Sequence, residues 1–246
     1  PELVEWCQKE LENDSRQLRR WQILVTGKPE NTREENRACA RALAKWLNAV
    51  AHQDLLDGFS LSMLKGGDYV PEMRFLLPAE GVDTRRLWQI CAEHAPEGIK
   101  PAKPDENWNW SGYLTGSLDL LFRAANKRYY VLDYKSNHLG TQATDYKPER
   151  LCAEVFGSHR YDLQYLLYSL ALMRYLRAAR PDDSFHDIYE KQYGGVIYMF
   201  LRGVGSQEGQ PYGLYCERPQ FAIIEKLDKL FGANIGRIAA VDRQEQ

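Results

Sequence analysis

Apolar and polar positions alternate most clearly in the middle of the chain. Leu118, Leu120 and Phe122 alternate with Ser117, Asp119 and Leu121, a period of two that predicts a strand with Asp119 on the face opposite the large apolar side chains. Ala124 to Lys127 reads as a hairpin turn. Arg128 to Lys135 then predicts a second strand with Tyr129, Val131, Asp133 and Lys135 on one face. The period changes further on. Between about His159 and Arg177, Leu163, Leu166, Leu167, Leu170 and Met173 recur at helical spacing, with Tyr161, Gln164, Tyr165 and Tyr168 as a polar-aromatic stripe beside them.

The flanking segments complete an α/β pattern. Val70, Met73, Phe75 and Leu77 predict a strand carrying Glu72, with Pro71 near its start. Thr32-Arg33-Glu34-Glu35 is a capping box opening an Ala-rich helix that turns Ala40, Leu43, Leu47 and Val50 inward. A last helix begins near Arg218-Pro219-Gln220 and buries Phe221, Ile224, Leu227 and Leu230. Loops are expected at Pro101 to Asn109, at Gly140 to Lys147 as a flexible segment, and at Ser206 to Gly213. The expected architecture is a central mixed β-sheet flanked by helices, with strands near Tyr69, Tyr113, Tyr129, Val196 and Tyr212. An N-terminal helical segment, 1–68, is expected to pack on a main domain, 69–246.

Composition narrows the class. The chain has 246 residues, 12% of them aromatic and 27% charged, which suits an ordinary globular domain with a sizeable core. Its five cysteines, Cys7, Cys39, Cys91, Cys152 and Cys216, are scattered without the close pairing of a zinc or iron–sulfur site, and read as reduced thiols of a cytoplasmic protein. No apolar run reaches the length of a membrane span, and the charged N-terminus does not read as a signal peptide. The net charge of −2 disfavours nucleic acid as a partner, yet its distribution reverses the argument. From Ser111 to Arg180 ten Lys or Arg face six Asp or Glu, so this stretch is basic while the rest carries −6. Arg16, Arg19 and Arg20 beside Trp21 suit either a solvated helix face or a nucleic-acid surface.

Asp119, Asp133 and Lys135 are the candidate chemistry. Two carboxylates can hold Mg²⁺, a hard cation that prefers oxygen ligands, and an adjacent ammonium can orient a water or offset charge on a phosphate. The alternative is an exposed hairpin with a solvated Asp133–Lys135 pair of little energetic weight. The apolar runs around both aspartates favour half-buried strands, where lone carboxylates are costly without a partner. Gln164 and Tyr168, one helical turn apart, can face the same phosphate or base.

The order Gly116-x-x-Asp119, Asp133-x-Lys135 and Gln164-x-x-x-Tyr168 resembles the PD-(D/E)xK nucleases of the RecB type. The resemblance extends over Asp133-Tyr134-Lys135-Ser136-Asn137, His159 to Tyr165, and Gly194 to Val204, and is strong from about Tyr69 to Phe231. It implies a restriction-endonuclease-like core and Mg²⁺-dependent DNA hydrolysis, with Mn²⁺ or Ca²⁺ able to substitute in binding. Asp119, Asp133 and the carbonyl of Tyr134 correspond to metal ligands, Lys135 to the catalytic lysine and Glu72 to the glutamate of the first core strand. Gln164, Tyr168, Tyr165 and Arg160 correspond to DNA-facing positions. The implied substrate is the single-stranded tails of unwound DNA. The implied partners are RecC and RecD, with RecA loaded onto a tail. The family's metal-binding histidine, in a Gly-x-x-x-His motif ahead of the glutamate strand, has no match, and His52 lacks its context. Either the chain has been cut downstream of that histidine, or the metal site is incomplete; any motor is expected elsewhere in the polypeptide or in a partner. The rival reading is a non-catalytic module that keeps the fold to bind DNA or a partner.

Overall fold

The computed structural model describes residues 2–13, 33–102, 109–110, 112–205 and 210–232. The chain divides into two compact units, Pro1–Ser62 and Met63–Gln246. In the first, helix α1 (Glu2–Asn13) packs on α2 (Arg33–His52), closing over Cys7, Leu11, Cys39, Ala40 and Ala44. Ala40, Leu43 and Leu47 of the Ala-rich stripe line this small core. Thr32 of the expected capping box and the Arg16 to Trp21 cluster lie outside the described residues.

The second unit is built on a five-stranded sheet. Its strands are β1 (Tyr69–Pro78), β4 (Tyr113–Arg123), β5 (Tyr129–Lys135), β6 (Tyr193–Phe200) and β7 (Leu214–Glu217), in the order β1-β4-β5-β6-β7. A separate two-stranded ribbon pairs β2 (Val82–Asp83) with β3 (Asn109–Trp110). All neighbours in the main sheet are antiparallel except β5 and β6, which are parallel. A parallel pair needs a long crossover. Here it is made by α4 (Pro148–Val155), α5 (Tyr161–Ala179) and α6 (Phe185–Gln192). Helices α3 (Thr84–His94) and α7 (Phe221–Leu230) complete the layers. This is a restriction-endonuclease-like α/β core.

Burial follows from position. Every residue of β6, between β5 and β7, is buried, as expected of a strand covered on both faces. Helix α5 is buried continuously from Tyr165 to Arg174, so its apolar stripe widens to the whole circumference. Arg174, fully enclosed, is matched by Asp228 of α7 at 2.7 Å and by the carbonyl of Gly232 at 2.6 Å.

Two expectations shift. The segment after β5 is not a loose loop: Ala143–Tyr146 forms a 3₁₀ turn, and the buried Tyr146 ring anchors it. The Tyr146 hydroxyl accepts from the Leu139 amide at 3.2 Å, and its carbonyl accepts from the Gly213 amide at 2.9 Å. The last strand begins at Leu214 rather than near Tyr212, because Gly213 turns the chain at φ +83°, where a Cβ would stand 2.7 Å from the Phe200 carbonyl.

Candidate active site

The pairing of β4 with β5 runs from Arg123–Tyr129 to Leu120–Leu132 and stops there. The next positions in that register are Asp119 and Asp133. The two strands therefore part where two carboxylates face each other. The row continues across the sheet: Asp133 is registered against Tyr198 of β6, and Tyr198 against Tyr215 of β7. On the other side Glu72 falls opposite Asp119, between the pairs Pro71–Leu120 and Met73–Leu118.

Glu72 interrupts the pairing of β1 with β4. Its φ of +52° lies in the left-handed region, which costs on the order of 1–3 kcal/mol in a non-glycine residue and persists only where the surroundings impose it. Across from it, β4 changes phase: Leu118 and Leu121, three residues apart, join the same core cluster, so the period of two breaks at Asp119. The simple alternation expected for this strand is thus corrected. Leu118, Leu120, Leu121 and Phe122 are all buried, because β4 is covered on both faces here.

Asp119 and Asp133 differ in surroundings. The Asp119 carboxylate accepts from the Tyr134 amide at 2.9 Å, which ties it to the end of β5 where pairing with β4 has stopped. Along a strand an amide and its own carbonyl share one side, so the Tyr134 carbonyl also aims at the gap beside Asp119. Asp133 is only 4% exposed. Its Oδ1 meets Lys135 Nζ at 2.5 Å, and its Oδ2 accepts from the Tyr168 hydroxyl at 3.2 Å. Lys135 Nζ also donates to Gln164 Oε1 at 2.6 Å, and Gln164 Nε2 donates to the Tyr168 hydroxyl at 2.8 Å. Asp133, Lys135, Gln164 and Tyr168 thus form a closed hydrogen-bonded ring. Burial pushes the Asp133 carboxyl above its ordinary pKa, the bond and charge of Lys135 oppose this, and the nearby Asp119 charge adds to it. Burial likewise raises the Tyr168 hydroxyl, with the Asp133 charge acting in the same direction.

The ring joins residues far apart in sequence, and one turn of α5 supplies half of it. Tyr165, one residue past Gln164, turns the other way: it is fully enclosed and hydrogen-bonds His94 Nε2 at 2.6 Å. A DNA-facing role for Tyr165 is excluded by that enclosure. Arg160 is also committed internally, with Nε and Nη2 on Asp162 at 2.8 and 2.9 Å, Nη1 on the Ala102 carbonyl, and its guanidinium carbon 4.7 Å from the centre of the Trp88 ring. It holds the start of α5 in place. Glu72 accepts from the Ser117 hydroxyl at 3.3 Å. Among the described residues no three His, Cys, Asp or Glu side chains stand close enough to share a metal ion, so Glu72 does not close on the two aspartates. His52 ends α2 with Nδ1 on the Asn48 carbonyl at 2.9 Å.

Two residues of the site lie in the resembling segments but outside the expected set of site residues. Tyr161 and Tyr198 set their rings 4.1 and 4.5 Å from Lys135 Nζ. Tyr161 belongs to the polar-aromatic stripe, and Tyr198 lies in the resembling Gly-Gly-Val-Ile-Tyr run, but only the sheet register sets it beside Asp133.

Comparison with known proteins decides the family. No family model matches the chain. It is 41% identical over 191 residues to the RecBCD enzyme subunit RecB of Escherichia coli strain K12, covering 77% of this chain and 16% of that protein. RecB of Haemophilus influenzae is 38% identical over 194 residues, covering 77% of this chain and 15% of that protein. The chain belongs to the RecB family. It spans about one sixth of the length of these relatives, and a third, RecB of Buchnera aphidicola subsp. Schizaphis graminum, is 34% identical over 78% of this chain.

Proposed function

We propose that this chain hydrolyses phosphodiester bonds of DNA with Mg²⁺, acting on single-stranded tails as the nuclease part of a RecBCD-type recombination and repair enzyme. The observation that carries this reading is the Asp119–Asp133 pair at the point where β4 and β5 part, with Lys135 bonded to it. Asp119, Asp133 and the Tyr134 carbonyl are hard oxygen donors, the set that suits a partly hydrated Mg²⁺. Held by these oxygens, Mg²⁺ would supply Lewis-acid polarisation of a phosphate oxygen and a lowered pKa for a bound water. Lys135 offsets charge that builds on the phosphate in the transition state, and Gln164 and Tyr168 fix the lysine and Asp133 in register for it. By the same reading RecC and RecD are partners and RecA acts on the product strand.

A labelled single strand incubated with the protein and Mg²⁺ tests the reading directly. Cleavage that stops on addition of a chelator supports it. No cleavage with Mg²⁺ or Mn²⁺, alongside retained DNA binding, would replace it with the non-catalytic module.

A further inference from the structure

Lys135 is 7% exposed, and its ammonium has three N–H groups to satisfy. Two go to Asp133 Oδ1 and Gln164 Oε1. The remaining side of the ammonium is closed by aromatic faces, Tyr161 at 4.1 Å and Tyr198 at 4.5 Å, whose rings lie 5.6 Å apart. We infer that Tyr198 and Tyr161 are positioning residues for Lys135, an aromatic box that fixes the direction in which the ammonium can reach a phosphate. This inference rests on the nuclease reading above.

The box is itself held rigidly. Tyr198 is fully buried, stands next to Asp133 in the sheet register, and lies against Tyr215 at 6.5 Å between ring centres. Its hydroxyl is within reach of the Tyr161 carbonyl at 2.9 Å and of Gln164 Oε1 at 3.0 Å, so it fastens the first turn of α5 and the amide that receives Lys135. Tyr161 is fastened from outside, its hydroxyl donating to Asn137 Oδ1 at 3.1 Å, while His159 stacks on its ring at 5.3 Å. Asn137 in turn donates to Glu154 at 2.9 Å. A flexible lysine stem would otherwise sample several rotamers. Ring faces attract the cation without taking its donors away, so the Asp133 contact can be exchanged for a substrate oxygen while the ammonium stays in place.

The test compares Tyr198→Phe, Tyr198→Leu and Tyr161→Leu. Tyr198→Phe keeps the ring and should lose no more than about threefold in kcat, the scale of one neutral hydrogen bond. Tyr198→Leu and Tyr161→Leu remove a ring each and should lower kcat about tenfold with KM nearly unchanged, a scale between that of an exposed and that of a fully desolvated cation–π contact. Tyr161 is partly exposed, so Tyr161→Leu keeps the test open if Tyr198→Leu does not fold. A second readout needs no activity. The Lys135 Hε protons should resonate upfield in the wild type from the ring currents, keep that shift in Tyr198→Phe and lose part of it in either Leu variant. Absence of the upfield shift in the wild type would overturn the box. Unchanged kcat in Leu variants that do lose the shift would overturn its positioning role while leaving the nuclease reading intact. A wild type that shows the shift but cleaves nothing would overturn the nuclease reading, and the positioning role with it.

Discussion

The Phe75 ring of β1 lies directly over Gly116 of β4, its register partner, and a Cβ added at Gly116 would press well inside van der Waals contact with the ring carbons. The same ring meets Tyr168 edge-on at 5.8 Å, and Tyr168 donates to Asp133. The glycine of Gly116-x-x-Asp119 is therefore a packing requirement, linked through Phe75 and Tyr168 to the buried carboxylate.

Gly116→Ala should consequently act on both stability and cleavage. Overpacking of this kind costs about 1–3 kcal/mol, and displacement of Phe75 pushes on Tyr168. Chemical denaturation would show the loss of stability. A double variant, Gly116→Ala with Phe75→Leu, should recover part of it, since the shorter side chain vacates the space.

Asp133→Ala should abolish cleavage and also destabilise the fold. Lys135 stays buried without its counter-charge, and breaking a buried pair from one side costs about 3–5 kcal/mol. Asp133→Asn keeps one acceptor, for Lys135, and turns an amide NH2 toward the Tyr168 hydroxyl; it should be equally inactive yet more stable than the Ala variant. Thermal melts of the two proteins in chelator, set beside a cleavage assay, separate the chemical role from the structural one.

Lys135→Met removes the ammonium and keeps most of the apolar stem. Charge stabilisation confined to the transition state predicts a fall in kcat of about 10²–10³. Asp133 is at the same time released from its partner, so Mn²⁺ affinity by calorimetry should hold or rise. Loss of Mn²⁺ binding together with activity would show that Lys135 organises the ligands rather than the reaction.

His94 gives a pH dependence of its own. Burial lowers its pKa below the ordinary value, while Glu217 and Asp162 act in the opposite direction. The unfolded chain then binds more protons than the folded one once the pH drops below about 6.5, so stability declines on acidification through that point. In His94→Phe this share of the acid sensitivity should vanish, although the bond to Tyr165 is lost at every pH. Denaturation midpoints measured from neutral to mildly acidic pH for both proteins check the sign.

The alternation and helical spacing of the sequence were enough to place β1, β4, β5 and α5 along the chain, although burial on both faces of β4 and all round α5 departs from the single apolar face that a fixed period implies. Spacing along the chain also paired Asp133 with Lys135, and Gln164 with Tyr168, since strand and helix periods are local geometry. The linkage between those pairs was not local. That Asp133 bonds Tyr168, that Lys135 bonds Gln164, and that Tyr198 closes the box depend on how α5 packs on β5 and β6, through contacts between distant parts of the chain that no period encodes. Even within one turn of α5 the sequence left the directions open: Gln164 and Tyr165 are adjacent, yet packing against β5 turns the first to the site and packing against α3 turns the second into the core.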